Sequence, residues 1–306
     1  MKIFKVLFII ISCIIVFILT DFLYFNIYAS QQKNDTKLYL KEYIQCFNLY
    51  SVDDSYRYFR EMYQDRDYID LNSKKRPVLI MGGSFGYGFE LENEQTFQYK
   101  LGKLTHRSVY NRAIPSFGLQ NSIYMLQNYN FEKEIKNPEF IIYVFIDNHI
   151  FRLYRRVHEV TEPILSVNYN LKNGKLVEEK KCKFIYRFAI CRRISSLRAI
   201  CASQLSNDKS FDYLKLHFLK LKEVAKQKYP NTKLVILVYE ENLEDWSSKT
   251  NRWKELEKEG FIVLNSYDLT NLHLSVKKYR LTFDKNHPNE LAWDILTPKI
   301  AEKLKL

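Results

Sequence analysis

The chain has 306 residues, 46% of them hydrophobic and 15% aromatic, and carries 47 Lys and Arg against 35 Asp and Glu, a net charge of +12. That composition excludes a disordered chain and suits one large domain with additions. The positive excess would fit an anionic lipid, an acidic glycan or nucleic acid. Only Arg152–Arg156 and Lys180–Arg198 are clustered, however, so a solvated basic surface accounts for most of it.

Residues 1–29 read as a membrane anchor. Lys2 and Lys5 precede an uncharged apolar run from Val6 to Thr20, and Asp21, Tyr24 and Tyr28 suit the far interface. Ala29 would serve as a cleavage site, but bulky Ile27 two positions earlier disfavours it, so an uncleaved signal anchor is expected. The two lysines predict N-in, C-out orientation, against the weaker pull of Lys33 and Lys37. The expected location is the cytoplasmic membrane, single-pass, with the following domain outside the cytoplasm and away from nucleic acid. Residues 30–75 follow as a stalk, with Tyr39, Tyr43, Phe47 and Tyr50 spaced along one helical face.

From residue 76 to 306 strands and helices alternate. Strands are expected at Pro77–Met81, Ser108–Arg112, Phe140–Ile146, Lys233–Tyr239 and Phe261–Asn265. Helices are expected at Phe89–Leu104, Leu119–Phe131, Phe211–Lys228, Leu243–Glu259 and Pro288–Leu306, the last interrupted near Pro298. The apolar run at Phe140–Ile146 marks a strand buried on both faces, and the alternation implies a parallel sheet covered by helices. Residues 151–210 break the pattern as an insertion with a hairpin around Asn173–Gly174, either a lid over a site or an ornament packed on the sheet.

The five cysteines are Cys13, Cys46, Cys182, Cys191 and Cys201. Their spacings match no zinc pattern, so no metal is expected; one disulfide among the last three would leave an odd thiol.

The stretch with the most chemistry is Val78–Gly88, where an apolar run stops at Gly82-Gly83-Ser84-Phe85-Gly86-Tyr87-Gly88. A strand ending there places Ser84 at the carboxyl edge of a parallel sheet, where ligands of open α/β sheets bind. No Lys-Ser/Thr pair follows, so it is not a P-loop, and the glycine spacing is wrong for a dinucleotide fingerprint. A plain tight turn is the bland reading; a nucleophilic serine is the sharper one. A nucleophile needs a base, an orienting group and oxyanion donors. His287, in Asp284-Lys285-Asn286-His287-Pro288-Asn289, sits at the mouth of the last helix with Asp284 able to hold its tautomer. The same two side chains could instead cap backbone groups. His149 is a rival base at another strand end. Beside it Asn148 offers an amide, and Gly118 a backbone N–H.

These four segments resemble, in order, the blocks of the SGNH/GDSL hydrolases. Gly82–Phe89 followed by Glu94-Gln95-Thr96-Phe97 is similar to the nucleophile block, Asn111–Gly118 with Gln120 to the second, Ile142–Asn148 to the third and Asp284–Asn289 to the last. The resemblance implies a three-layer flavodoxin-like (SGNH hydrolase-like) α/β fold and an esterase or acyl hydrolase. It implies a Ser84–His287–Asp284 triad, an oxyanion hole of the Ser84 and Gly118 N–H groups with the Asn148 amide, and no cofactor. Gly83 stands where the family has aspartate, and Ile146 and His149 replace the glycine and the final aspartate of the third block. The substrate class implied by membrane-anchored relatives is an O-acylated, chiefly O-acetylated, envelope glycan or a related small ester. An acyltransferase using the same triad, and a catalytically weakened glycan-binding or scaffold protein, are the alternatives.

Overall fold

A computed structural model of the chain describes Ser12 and residues 66–153, 168–172, 175–179, 207–240, 250–282, 284 and 286–306. The chain divides into two units. Of Met1–Val52, Glu159–Pro163 and Lys181–Gln204, which form the first, only Ser12 is described. The expected anchor, most of the stalk and insertion, and all five cysteines lie outside the described residues. Among those described, no helix is long and apolar enough to cross a membrane.

The second unit is an α/β domain. Its five-stranded sheet contains β1 (Val78–Gly82), β2 (Val109–Asn111), β3 (Phe140–Phe145), β6 (Lys233–Val238) and β7 (Ile262–Asn265), all parallel, in the order β2-β1-β3-β6-β7. The remaining strands, β4 (Asn168–Lys172) and β5 (Lys175–Glu179), form the hairpin expected around residues 173–174. The helices among the described residues are α1 (Ser84–Tyr87), α2 (Phe97–Thr105), α3 (Leu119–Asn128), α4 (Asn148–Leu153), α5 (Asn207–Lys228), α6 (Trp253–Lys258), α7 (Ser266–Thr270) and α8 (Glu290–Leu304).

Both sheet faces are covered because the central strands are apolar throughout. Ile80, Ile142, Val144 and Val235 share a core with Phe97 of α2 and Trp293 of α8, whose rings stack at 5.1 Å. The alternate residues Tyr143 and Phe145 meet Phe218 of α5 on the opposite face, and Phe145 also meets Trp253 of α6. Helices α2 and α8 pack together, as do α3 and α5. The result is three layers, as the period-two burial of a covered parallel sheet requires.

Several expectations about the helices differ from the structure among the described residues. The helix expected from Phe89 begins at Phe97, because Gly88 and Glu90 take positive φ (75° and 60°) and residues 93–95 form a 3-10 turn. The last helix runs unbroken through Pro298. Pro298 and Asp294, whose carbonyl loses its usual partner, lie on the exposed face where water can satisfy it. Pro288 is not its first residue; Asn289 is the N-cap, its side chain accepting the Ala292 N–H at 3.2 Å. The domain's contacts also start before residue 76, since Tyr68 pairs with Val109 by two backbone hydrogen bonds of 2.9 and 2.8 Å.

Gly82 fixes how the chain leaves the sheet. Its φ is 138°, and a Cβ there would lie 2.7 Å from the Val144 carbonyl oxygen, a backbone atom of the neighbouring strand. Gly82→Ala is therefore expected to destabilise the domain by about 2 kcal/mol or more. A urea midpoint equal to wild type would contradict this.

Candidate active site

Ser84 is the first residue of α1, a single helical turn that Gly88 closes in the left-handed conformation, donating its N–H to the Ser84 carbonyl at 3.0 Å. The turn is short because glycine at 88 leaves the helix at no steric cost. The Ser84 side chain is thereby held at the carboxyl end of β1, and the residue is 8% exposed.

The loop after Tyr279 delivers the other two groups. It is pinched at its base: Arg280 pairs with Pro288, the Leu281 N–H donates to the His287 carbonyl at 2.9 Å, and the Asn289 amide donates to the carbonyls of Lys278 and Arg280 at 2.9 and 3.1 Å. Within the loop the Asp284 carboxylate accepts the backbone N–H groups of Asn286 (2.8 Å) and His287 (3.1 Å) through one oxygen and meets His287 Nδ1 with the other. His287 Nε2 lies 2.7 Å from Ser84 Oγ. Burial opposes the Asp284 charge, but the His287 charge and the hydrogen bonds from Asn286 and His287 outweigh it and hold its pKa below the ordinary carboxylate value. An anionic Asp284 accepts a hydrogen bond from the Nδ1–H and so fixes that tautomer, which leaves the Nε2 lone pair to accept the Ser84 O–H. The structure thus brings together Ser84, His287 and Asp284 in one hydrogen-bonded line.

Phe85 and Phe89 flank the imidazole, each with its ring centroid 5.1 Å from it. Neither aromatic is singled out by the sequence; both follow Ser84 within the glycine-rich block, and that was the available signal. Glu240 was also missed. It is buried at the exit of β6, accepts from Ser275 Oγ at 3.1 Å and contacts His273 Nδ1 at 2.9 Å, while its own N–H donates to Ser266 Oγ. It anchors the start of the segment that runs on to Asp284 and His287.

The remaining candidates are placed differently from one another. Asn148 opens α4, is half-buried, and its amide has no hydrogen-bond partner among the described residues. The Gly118 N–H is engaged, donating to Asn121 Oδ1 at 3.0 Å in the cap of α3, so it could reach an oxyanion only after Asn121 turns away. The hydrogen bond of His149 goes to Tyr143, whereas the Ser84 hydroxyl meets His287. His149 is buried, its Nδ1 meets the Tyr143 hydroxyl at 2.8 Å, and its Nε2 points toward Gly83, 2.9 Å from where a Cβ would stand. Burial and the nearby Arg152 charge push its pKa well below the ordinary value, so it is a neutral backing residue. Arg152, also buried, donates to the Phe117 carbonyl at 2.9 Å. Together these side chains fill the space behind Gly83. Among the described residues, no group of three or more His, Cys, Asp and Glu could hold a metal ion.

No family model matches the chain, and no curated protein matches it. Solved structures similar to it include a protein assigned to the G-D-S-L lipolytic family from Desulfitobacterium hafniense DCB-2 (10% identity, 74% of this chain and 99% of that one, TM-score 0.44). TesA is similar at 12% identity over 75% of this chain and 98% of its own, with a TM-score of 0.42. The acetyl xylan esterase Est2A from the rumen bacterium Butyrivibrio proteoclasticus is similar at 8% identity over 77% of this chain and 65% of its own, with a TM-score of 0.46.

Acid should destabilise the domain through its buried imidazoles before it reaches Asp284. His149 is harder to protonate when folded, and burial lowers His217 to about 4. The unfolded chain therefore binds more protons below the ordinary histidine value of 6.5, and stability falls from there downward. For His217 the loss is complete near pH 4 and amounts to about 3 kcal/mol. The depressed Asp284 contributes its loss only below the ordinary carboxylate value of 3.8. The thermal midpoint should fall between about pH 7 and pH 4.5, and His217→Gln should flatten that slope. An unchanged slope in the variant would show that His217 does not carry the effect.

Proposed function

We propose that the protein is a serine-dependent esterase that cleaves acyl esters, with an O-acetylated glycan of the cell envelope as substrate. The observation that carries the reading is the 2.7 Å contact between Ser84 Oγ and His287 Nε2, with Asp284 on the opposite ring nitrogen. Ser84 attacks the acyl carbonyl and passes its proton to His287, whose cationic ring is stabilised by the Asp284 carboxylate. His287 then protonates the leaving alkoxide. Water, deprotonated by His287, hydrolyses the acyl-serine and regenerates Ser84. The Ser84 N–H and the Asn148 amide are the proposed oxyanion donors, with Gly118 joining them if Asn121 releases its N–H. Phe85 and Phe89, their rings tilted 47° and 44° to the imidazole, border it and limit the access of water to the hydroxyl–imidazole contact. The glycan is argued from the family resemblance of the motifs and from the proposed extracytoplasmic placement behind an N-terminal membrane anchor.

The full chain should release acetate from p-nitrophenyl acetate and from an O-acetylated polysaccharide. Ser84→Ala should abolish both activities, and Asn148→Ala should lower turnover by about two to three orders of magnitude with the fold retained. Net formation of new esters on an added deacetylated glycan would replace hydrolysis by acyl transfer. Glycan binding with equal, slow turnover in wild type and Ser84→Ala would reduce the protein to a binding module.

A further inference from the structure

The segment Arg66 to Tyr68, on the N-terminal side of β1, reaches the nucleophile turn by two separate routes. On the first, Arg66 Nη1 donates to the carbonyl oxygens of Gly88 (2.8 Å) and Leu91 (2.6 Å), the residues that follow α1. Its guanidinium also lies over the Tyr87 ring, 4.6 Å from the centroid. On the second, Asp67 Oδ1 accepts the backbone N–H of Asn111 at 2.8 Å and pairs with Arg112 at 2.7 Å. The Asn111 side chain then donates to the Gly86 carbonyl within α1 at 3.0 Å and accepts from the Ala113 N–H at 2.9 Å.

Tyr68 fixes the segment against the sheet edge. Besides its two backbone bonds to Val109, its ring lies edge-on to Tyr99 at 5.3 Å. It fills the space over Gly102, where a Cβ would stand 2.1 Å from the Tyr68 ring. Residue 102 must therefore be glycine for the segment to lie where it does. The fit is specific, and a loosely trailing stalk would not require it.

We infer that Arg66 and Asp67 are positioning residues of the active centre, setting the pose of α1 and hence of the Ser84 hydroxyl against His287. This rests on the esterase reading above. A single helical turn has little stiffness of its own, because only its last amides find intrahelical carbonyls. Its orientation is set by what holds its ends. β1 holds the entry; the carbonyls of Gly86, Gly88 and Leu91 are held by Asn111 and Arg66. The Arg66 bonds to Gly88 and Leu91 are charge-assisted, which are the stronger kind, and misplacement of a nucleophile by about 1 Å can cost about a hundredfold in rate.

The test is steady-state hydrolysis of p-nitrophenyl acetate by the full chain, well below each variant's thermal midpoint. Arg66→Met is expected to lower kcat at least about tenfold with KM changed less than about twofold, because the turn is displaced while substrate contacts are kept. Asp67→Ala should act the same way through Asn111. Arg66→Lys, which keeps the charge but not the planar fork over Tyr87, should recover part of the loss. A purely structural role would lower the midpoint and leave the kcat of the folded protein unchanged. Wild-type kcat in folded Arg66→Met, or in Asp67→Ala should Arg66→Met not fold, overturns the inference. Ser84→Ala separates the two failures. Activity that survives it overturns the esterase reading and the inference together, whereas Ser84-dependent activity untouched by either variant overturns the inference alone.

Discussion

The contact between Ser84 Oγ and His287 Nε2 joins residues 203 positions apart, and much of the domain serves to make it. One partner sits on a helical turn at the end of a central strand, the other on a loop pinched shut before the last helix. Neither element is stiff alone. The turn is fixed by Gly82, which lets the backbone pass against β3, and by the hydrogen bonds that Asn111 and Arg66 make to its carbonyls. The loop is fixed by Asn289, which caps α8 and ties the carbonyls of Lys278 and Arg280 with the same side chain. The stacked Phe97 and Trp293 couple the helices that follow the turn and the loop, so both partners are referred to one core.

Behind the turn the chain is packed differently from what the resemblance implies. Gly83 has no side chain because His149, Arg152 and the Phe117 carbonyl occupy its surroundings at 2.9 to 3.1 Å from a would-be Cβ. The altered third motif and the altered first motif are thus one structural fact: the imidazole at 149 lies against the glycine at 83. A neutral imidazole held by the Tyr143 hydroxyl is a compact, uncharged filler there, and burial, followed by the charge of Arg152, disfavours its protonation.

What the sequence made legible was the part governed by local pattern. The all-apolar Phe140–Phe145, the glycine-rich exit of β1, and the Asp284–His287 loop before a helix could each be read from a few neighbouring residues. The helix expected at Phe89 could not, because its acidic residues mimic a first turn while Gly88 and Glu90 take left-handed backbone angles. Pro298 misled in the same way: local propensity argues for a break, but Asp294 and Pro298 lie on the exposed face of the helix. Glu240, Arg66 and Asp67 act across the fold on carbonyls and side chains that no spacing rule links to them. Gly118 was legible as a position but not as a state, since the acceptor that engages its N–H is a side chain on the next turn of α3.

A fluorophosphonate offered to the full chain, with the modified peptide mapped by mass spectrometry, should phosphonylate a single residue, Ser84, and should form no adduct when the chain is first unfolded. An adduct on another residue, or the same labelling of Ser84 in the unfolded chain, would contradict the claim that the fold activates this hydroxyl.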